Sequence, residues 1–135
     1  MSYDYFLQAH LHSGSEMIAT EKILAIFEIY VVAKDSSYID LRFDDDSTCT
    51  IYMDIDAPYN DGLVVNRPCS GQLAECLYQV MQLGNFVFFE PDGIHMIIID
   101  AAVEQHLPED MIDTLGKPVV ADTFDSFLGL YNNNR

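Results

Sequence analysis

The alternation of apolar and polar residues marks the strands that this sequence predicts. The runs YIDLRF at 38–43 and TCTIYMDI at 48–55 alternate with a period of two, which is typical of strands with one buried face. Four polar residues at 44–47 separate the two runs and predict a β-hairpin turn. Further strands or extended segments are predicted at 3–11, 63–66, 85–90, 95–100 and 118–121.

A helical spacing of apolar residues predicts the first long helix at 16–30. Its apolar face consists of Ile23, Leu24, Phe27 and Tyr30. Ser13, followed three residues later by Glu16, has the form of a capping box, in which each side chain accepts a hydrogen bond from a free backbone amide. The sequence therefore predicts that the helix begins at this point.

The order of the predicted elements indicates the fold class. A second amphipathic helix is predicted at 71–83, with Gly84 after its end, and short helices at 108–115 and 123–131 close the chain. An antiparallel sheet with both long helices on one face would bury both helical stripes. We therefore predict a single α+β domain over 1–135. The predicted domain is a two-layer sandwich with a mostly antiparallel sheet, two helices on one face in a ferredoxin-like βαββ pattern, and a short helical C-terminal tail.

The charge of the chain excludes several classes of partner. Its 135 residues include 22 Asp and Glu against 6 Lys and Arg, which gives a net charge of −16. Nucleic acids and anionic membranes are bound through clustered Lys and Arg, so neither partner is expected. A macromolecular partner is expected to be basic, although acidity also serves solubility alone. The N-terminal residues lack the pattern of a signal peptide, which predicts a cytoplasmic protein.

Few residues suggest catalysis or metal binding. His10 and His12 are predicted to share one face of a strand, but no second pair of zinc ligands accompanies them. Cys69 precedes the second helix, whose N-terminus would lower its pKa, yet no motif supplies a base for this nucleophile. The aspartates at 44–46 lack the spacing of a calcium loop. We expect no metal and no cofactor, and we interpret all three cysteines as reduced and at least half-buried.

Four stretches in the second half of the chain carry a resemblance to a known class of proteins. They are GLVVNRP at 62–68, GNFVFFEPDG at 84–93, LPEDM at 107–111 and LGKPVV at 115–120. In overall style, without a shared signature residue, the sequence resembles small acidic immunity proteins encoded beside bacterial polymorphic or type VI-secreted toxins. The resemblance implies that the protein binds and neutralises a cognate toxin in the cytoplasm. An acidic chain suits a basic toxin such as a nuclease.

Two acidic segments form the predicted partner-binding site, namely the hairpin turn and a loop expected to lie near it. The residues concerned are Asp44, Asp45, Asp46, Asp56, Tyr59 and Asp61. Tyr59 is the predicted apolar anchor, because charges at the rim of an interface contribute more to on-rate than to affinity. Two alternatives stay open. One is a small enzyme or accessory domain on a ferredoxin-like sheet, and the other is a homodimer or larger homo-oligomer formed by pairing of edge strands.

Overall fold

A mostly antiparallel sheet dominates the computed structural model, which describes residues 4–69, 71–90 and 96–133. The strands of this sheet are β1 (Asp4–Leu11), β2 (Gly14–Ser15), β4 (Val31–Lys34), β5 (Tyr38–Arg42), β6 (Thr48–Tyr52), β8 (Gly62–Asn66), β9 (Phe86–Phe89), β10 (Ile97–Ile98) and β11 (Val119–Val120). A small separate sheet pairs β3 (Ile18–Ala19) with β7 (Tyr59–Asn60). The predicted strand ends at Tyr3 and His95 lie outside the described residues.

The strand order places β1 near the centre of the large sheet. The order is β11-β10-β9-β1-β8-β6-β5-β4, and β2 pairs with the end of β1. Neighbouring strands are antiparallel except for β10 and β11, which are parallel. The predicted hairpin is present, because β5 and β6 pair in register with Leu41 opposite Cys49. The α+β class with a mostly antiparallel sheet is thus confirmed.

Four α-helices accompany the sheet in the described part of the chain. They are α1 (Thr20–Phe27), α2 (Gly71–Met81), α3 (Glu109–Leu115) and α4 (Phe124–Asn133), with 3₁₀ turns at Glu28–Tyr30 and Ala101–His106. Over the same residues, none of the helices has both the length and the apolar character needed to cross a membrane. The last three α-helices agree with the prediction to within two residues at each end.

The first helix begins four residues later than predicted, at Thr20 rather than at residue 16. The capping box of Ser13 and Glu16 does not form. Instead the Glu16 carboxylate accepts hydrogen bonds from the backbone N–H of Asn85 at 2.6 Å and from its side-chain amide at 3.2 Å. Near the start of α1, the side chain of Asn60 donates to the Thr20 hydroxyl at 2.7 Å. Contacts with distant segments therefore determine where α1 begins.

The main hydrophobic core joins alternate strand positions to three helices. From the central strand it contains Tyr5, Leu7 and Ala9, which share one face because side chains alternate along a strand. The helices contribute Ile23 and Phe27 from α1, Leu73, Leu77 and Val80 from α2, and Phe127 and Tyr131 from α4. Of the buried apolar residues that the structure describes, most lie in this core, and burial of apolar surface is the dominant favourable term in folding.

A second, smaller core lies at β9 and β10. Val87 and Ile98 pack there with Val103 and Leu107, and α3 joins them through partly buried apolar side chains. Val87 alternates with Phe86 and Phe88 of the main core, so this cluster uses the opposite face of β9. The sequence predicted a single helical layer, whereas the apolar residues of β10 require cover on both faces. The ferredoxin-like layout is not confirmed by this arrangement.

The close approach of β8 to β1 requires glycine at position 62. A Cβ atom on Gly62 would lie against the carbonyl oxygen of Leu7 and 3.2 Å from the Cα of Gln8, both backbone atoms of the central strand. Replacing Gly62 with alanine is expected to lower the free energy of unfolding by about 1–3 kcal/mol, measured by urea denaturation. As a control, a Cβ on Gly71 would meet no atom within 4 Å outside its own helix. Equal losses in Gly62→Ala and Gly71→Ala would contradict this explanation.

Candidate partner-binding site

The turn between β5 and β6 presents three aspartates to solvent. The turn is closed by a hydrogen bond from the backbone N–H of Phe43 to the carbonyl oxygen of Ser47 at 2.9 Å. Asp44, Asp45 and Asp46 are all exposed. Asp46 has a φ of 66°, a left-handed conformation that aspartate adopts more readily than most residues. The sequence therefore suits the turn locally, and the turn exposes its charges.

Gln72 of α2 fixes the position of this turn. Its Oε1 accepts a hydrogen bond from the backbone N–H of Asp44 at 2.8 Å, and its Nε2 donates to the Asp44 carboxylate at 2.8 Å. Within the turn, the Asp45 carboxylate accepts a hydrogen bond from the backbone N–H of Ser47 at 3.0 Å. These bonds hold the acidic turn against the first residues of α2 and restrict its conformations.

An open groove of about 520 Å³ lies between this turn, α2 and α4. We call it the acidic groove. Its carboxylates belong to Asp44, Asp45 and Glu75, and its apolar wall is formed by Phe124 and Leu128. An apolar surface beside carboxylates suits a lysine or arginine side chain, whose stem packs on carbon while its head pairs with oxygen. The groove therefore combines charge with an apolar anchor.

The second predicted acidic segment lies at the other end of the hairpin. The 44–47 turn precedes β6, and the segment with Asp56, Tyr59 and Asp61, which includes β7, follows it. A strand of five residues rises roughly 16 Å. The length of β6 therefore separates the two segments along the hairpin, and a count of residues along the chain does not show this separation. Asp56, Tyr59 and Asp61 are all exposed.

Tyr59 belongs to a different surface from the acidic turn. It is 54% exposed and lines a separate groove of about 390 Å³ together with Leu24 and Ile55. The nearby Asp61 carboxylate accepts a hydrogen bond from the Ser15 hydroxyl at 2.9 Å. The apolar side chains that line the acidic groove are Phe124 and Leu128, and Tyr59 does not line it.

The histidines predicted to share a strand face are separated by the end of β1. His12 follows Leu11, the last residue of the strand, and has a φ of 49°. Its ring lies 4.9 Å from that of His106, and its backbone N–H donates to His106 Nδ1 at 3.1 Å. In the parts of the chain that the structure describes, no group of three or more His, Cys, Asp or Glu side chains is placed to hold a metal ion.

The cysteines near α2 are packed into or against the core. Cys49 and Cys76 are buried, and Cys69 is half-buried. A side-chain hydrogen bond with Cys69 and burial raise the pKa of Cys49, and burial raises the pKa of Cys76 to about 12. Cys49 and Cys76 therefore stay protonated near neutral pH, where a thiol is a poor nucleophile. The backbone carbonyl of Cys69 accepts the Tyr131 hydroxyl at 2.6 Å, which ties it to α4.

The folded chain favours the neutral form of His10. Burial lowers its pKa from the usual 6.5, against opposing contributions from a hydrogen bond with the backbone of Gly14 and from the charge of Asp61. Its Nε2 is buried and has no hydrogen-bond partner among the described residues. As the pH falls below about 6.5, His10 of the unfolded chain takes up its proton first, so protonation favours unfolding.

We expect the urea concentration at the midpoint of unfolding of the wild-type protein to decrease as the pH falls below about 6.5. The His10→Gln variant should lose part of that decrease because it removes the titrating group. His12→Gln, which changes an exposed histidine, is the matched control for a histidine-to-glutamine replacement. Parallel pH profiles for wild type and His10→Gln would contradict this account of His10.

No protein-family model, curated protein or solved structure matches the chain. Three carboxylates beside two apolar side chains form a site whose chemistry fits a partner's lysine or arginine.

Proposed function

We propose that this protein binds and neutralises a cognate basic toxin or effector by covering its active site, as bacterial immunity proteins do in the cytoplasm. The observation that carries the proposal is the acidic groove, where Asp44, Asp45 and Glu75 stand beside Phe124 and Leu128. A cationic side chain of the partner would enter this groove. Its charge would pair with the carboxylates while its stem covers the apolar wall.

The charge of the whole chain supports the same proposal. A net charge of −16 creates a negative field that attracts a basic partner and accelerates encounter. The turn is already held by Gln72, so binding requires little reordering. A stable complex buries on the order of 1,600 Å² in total, so surface around the groove would also take part.

We infer further that α1 and α2 form one helical layer on a single face of the sheet, as in the βαββ pattern of ferredoxin-like folds. In support, Ile23 of α1 and Leu77 of α2 pack in the same core as Leu7 of β1. The layer also includes α4, because the rings of Tyr78 and Phe127 lie 5.7 Å apart. This packing of α4 beside α2 supports the apolar wall of the groove.

The proposal is tested by measuring association with the product of the adjacent gene. Replacing Asp44, Asp45 and Asp46 with asparagine removes three charges and keeps side-chain volume. We expect the on-rate at low salt to fall about 10-fold and its salt dependence to decrease.

The matched control replaces three exposed aspartates at the other end of β6, at positions 54, 56 and 61, with asparagine. This control removes the same charge from a surface that the proposal does not use, so its on-rate should stay closer to wild type. Equal losses in both triple variants would exclude the groove as the site. A gene product that does not bind the wild-type protein at all would exclude the function.

A further inference from the structure

A row of apolar side chains crosses the face of the sheet opposite the main core. The residues of this row are cross-strand partners on five adjacent strands, namely Tyr38, Tyr52, Val64, Phe6 and Phe89. We call them the aromatic row. They alternate with main-core residues of the same strands, such as Leu7 and Ile51, and therefore point to the opposite side. Tyr52 is 45% exposed, and the other four side chains are half-buried.

The aromatic row is a continuous surface rather than a set of isolated side chains. The rings of Tyr38 and Tyr52 lie 6.3 Å apart, and those of Phe6 and Phe89 stack at 5.3 Å. Phe89 also packs against the second core, whereas the other four belong to neither core of the described residues. Because adjacent strands lie about 4.8 Å apart, the row extends roughly 19 Å from the edge of the second core.

A polar row with two carboxylates runs beside the aromatic row. The residues of the polar row are cross-strand partners on four adjacent strands, namely Asp40, Thr50, Asn66 and Asp4. The Thr50 hydroxyl donates to Asp40 at 2.7 Å, and the Asn66 amide donates to Asp4 at 2.8 Å. Arg42 is exposed at the hairpin end of this face, where the two carboxylates outnumber it. The face therefore places oriented negative charges next to aromatic rings.

We propose that this face docks an arginine-bearing segment of a basic protein. A guanidinium group stacks on aromatic rings and pairs with carboxylates, and the two rows place both kinds of group on neighbouring positions. Two copies of this chain, each with a net charge of −16, would repel one another here, and a nucleic acid would meet carboxylates instead of cations. The choice of a basic partner rests on the function proposed above.

The probe is a short fluorescein-labelled peptide in which arginine and leucine alternate, with binding followed by fluorescence anisotropy. Tyr52→Ser should weaken binding about 10-fold, because it removes the most exposed ring of the row. Tyr59→Ser is the matched control, since it removes a ring of similar exposure, 54% against 45%, outside the row. Neither change alters the net charge. Equal affinities for the two variants would overturn the proposal, since charge alone would then account for binding.

A second variant tests peptide docking on this face if Tyr52→Ser does not fold. The double replacement Asp4→Asn and Asp40→Asn retains an oxygen acceptor for each neighbouring donor and removes both charges. It should weaken peptide binding and reduce its salt dependence relative to the matched pair Asp56→Asn and Asp61→Asn. Identical salt dependence in the two double variants would contradict the docking surface.

The product of the adjacent gene separates this inference from the proposed function. If Tyr52→Ser retains full binding to it while the triple asparagine variant of the hairpin turn loses binding, the docking surface is wrong and the function stands. If the wild-type protein does not bind that product, the function is wrong, and the peptide experiment still decides the surface. Binding of a single-stranded RNA oligonucleotide that depends on Tyr52, without peptide binding, would overturn the choice of a basic partner.

Discussion

Replacing Phe127 with alanine is expected to lower the free energy of unfolding by about 3–5 kcal/mol. Phe127 of α4 is fully buried. Its ring lies edge-on to Phe88 at 5.6 Å and tilted against Tyr131 at 6.1 Å. Truncation would leave a cavity between α4 and the centre of the sheet, where neighbours held by strands cannot collapse to fill it.

The matched control for this prediction is Phe124→Ala, one turn earlier on α4. Phe124 is half-buried and contacts Tyr78 with a ring separation of 5.7 Å. Its loss should cost about 1–2 kcal/mol, in proportion to the smaller apolar area it buries. Urea denaturation of the three proteins measures the difference. Equal destabilisation by the two variants would contradict the position of α4 on the main core.

Reversing the charge of Glu75 is expected to weaken binding of the partner about 100-fold. Glu75 is exposed on α2 and lines the acidic groove, so Glu75→Arg would place a cation where the partner's cation is proposed to enter. Like charges brought together in an interface cost several kcal/mol, and 1.4 kcal/mol corresponds to a factor of ten. Surface plasmon resonance with the adjacent gene's product would measure the change in affinity.

Asp113→Arg provides the control for this charge reversal. Asp113 is exposed on α3, which packs on the second core and not beside the groove. Both variants change the net charge by the same amount, so they reduce long-range attraction to a similar extent. The groove is excluded as the binding site if Asp113→Arg weakens the complex as much as Glu75→Arg does.

Elements whose pattern is local agree well between sequence and structure. The β5–β6 hairpin follows from two alternating runs and a polar turn, and α2 follows from an apolar stripe that ends before Gly84. In both cases the residues that determine the element lie within it. Periodicity along the chain is then sufficient for the prediction.

Elements that depend on distant contacts were missed or misplaced. The predicted start of the first helix at 16 fails because Glu16 bonds to Asn85, far along the chain. The short strands β3 and β7 pair with each other across separate segments, and the parallel pairing of β10 with β11 also joins separate segments. Two-residue strands carry no periodicity, so no window of the sequence could reveal them.

The sequence predicted the three aspartates of the acidic groove's turn, but not the residues that α2 and α4 contribute to the groove. The three aspartates of the turn follow directly from their sequence, and the structure exposes them as expected. Glu75, Phe124 and Leu128 reach the same groove from α2 and α4, and this convergence depends on helix packing. A signal for Glu75 was present, since it lies on the polar side of a predicted helix just after the turn's partner Gln72. Sequence alone did not indicate that this helix begins beside the turn.

The most direct test of the proposed function is an inhibition titration of the adjacent gene's product with this protein. If the protein covers the active site of a cognate toxin, we expect activity to fall to background at about one equivalent, as tight stoichiometric binding requires. The Glu75→Arg variant should need a large excess, whereas Asp113→Arg should inhibit like wild type. Full activity of the product at saturating wild-type protein would contradict the account.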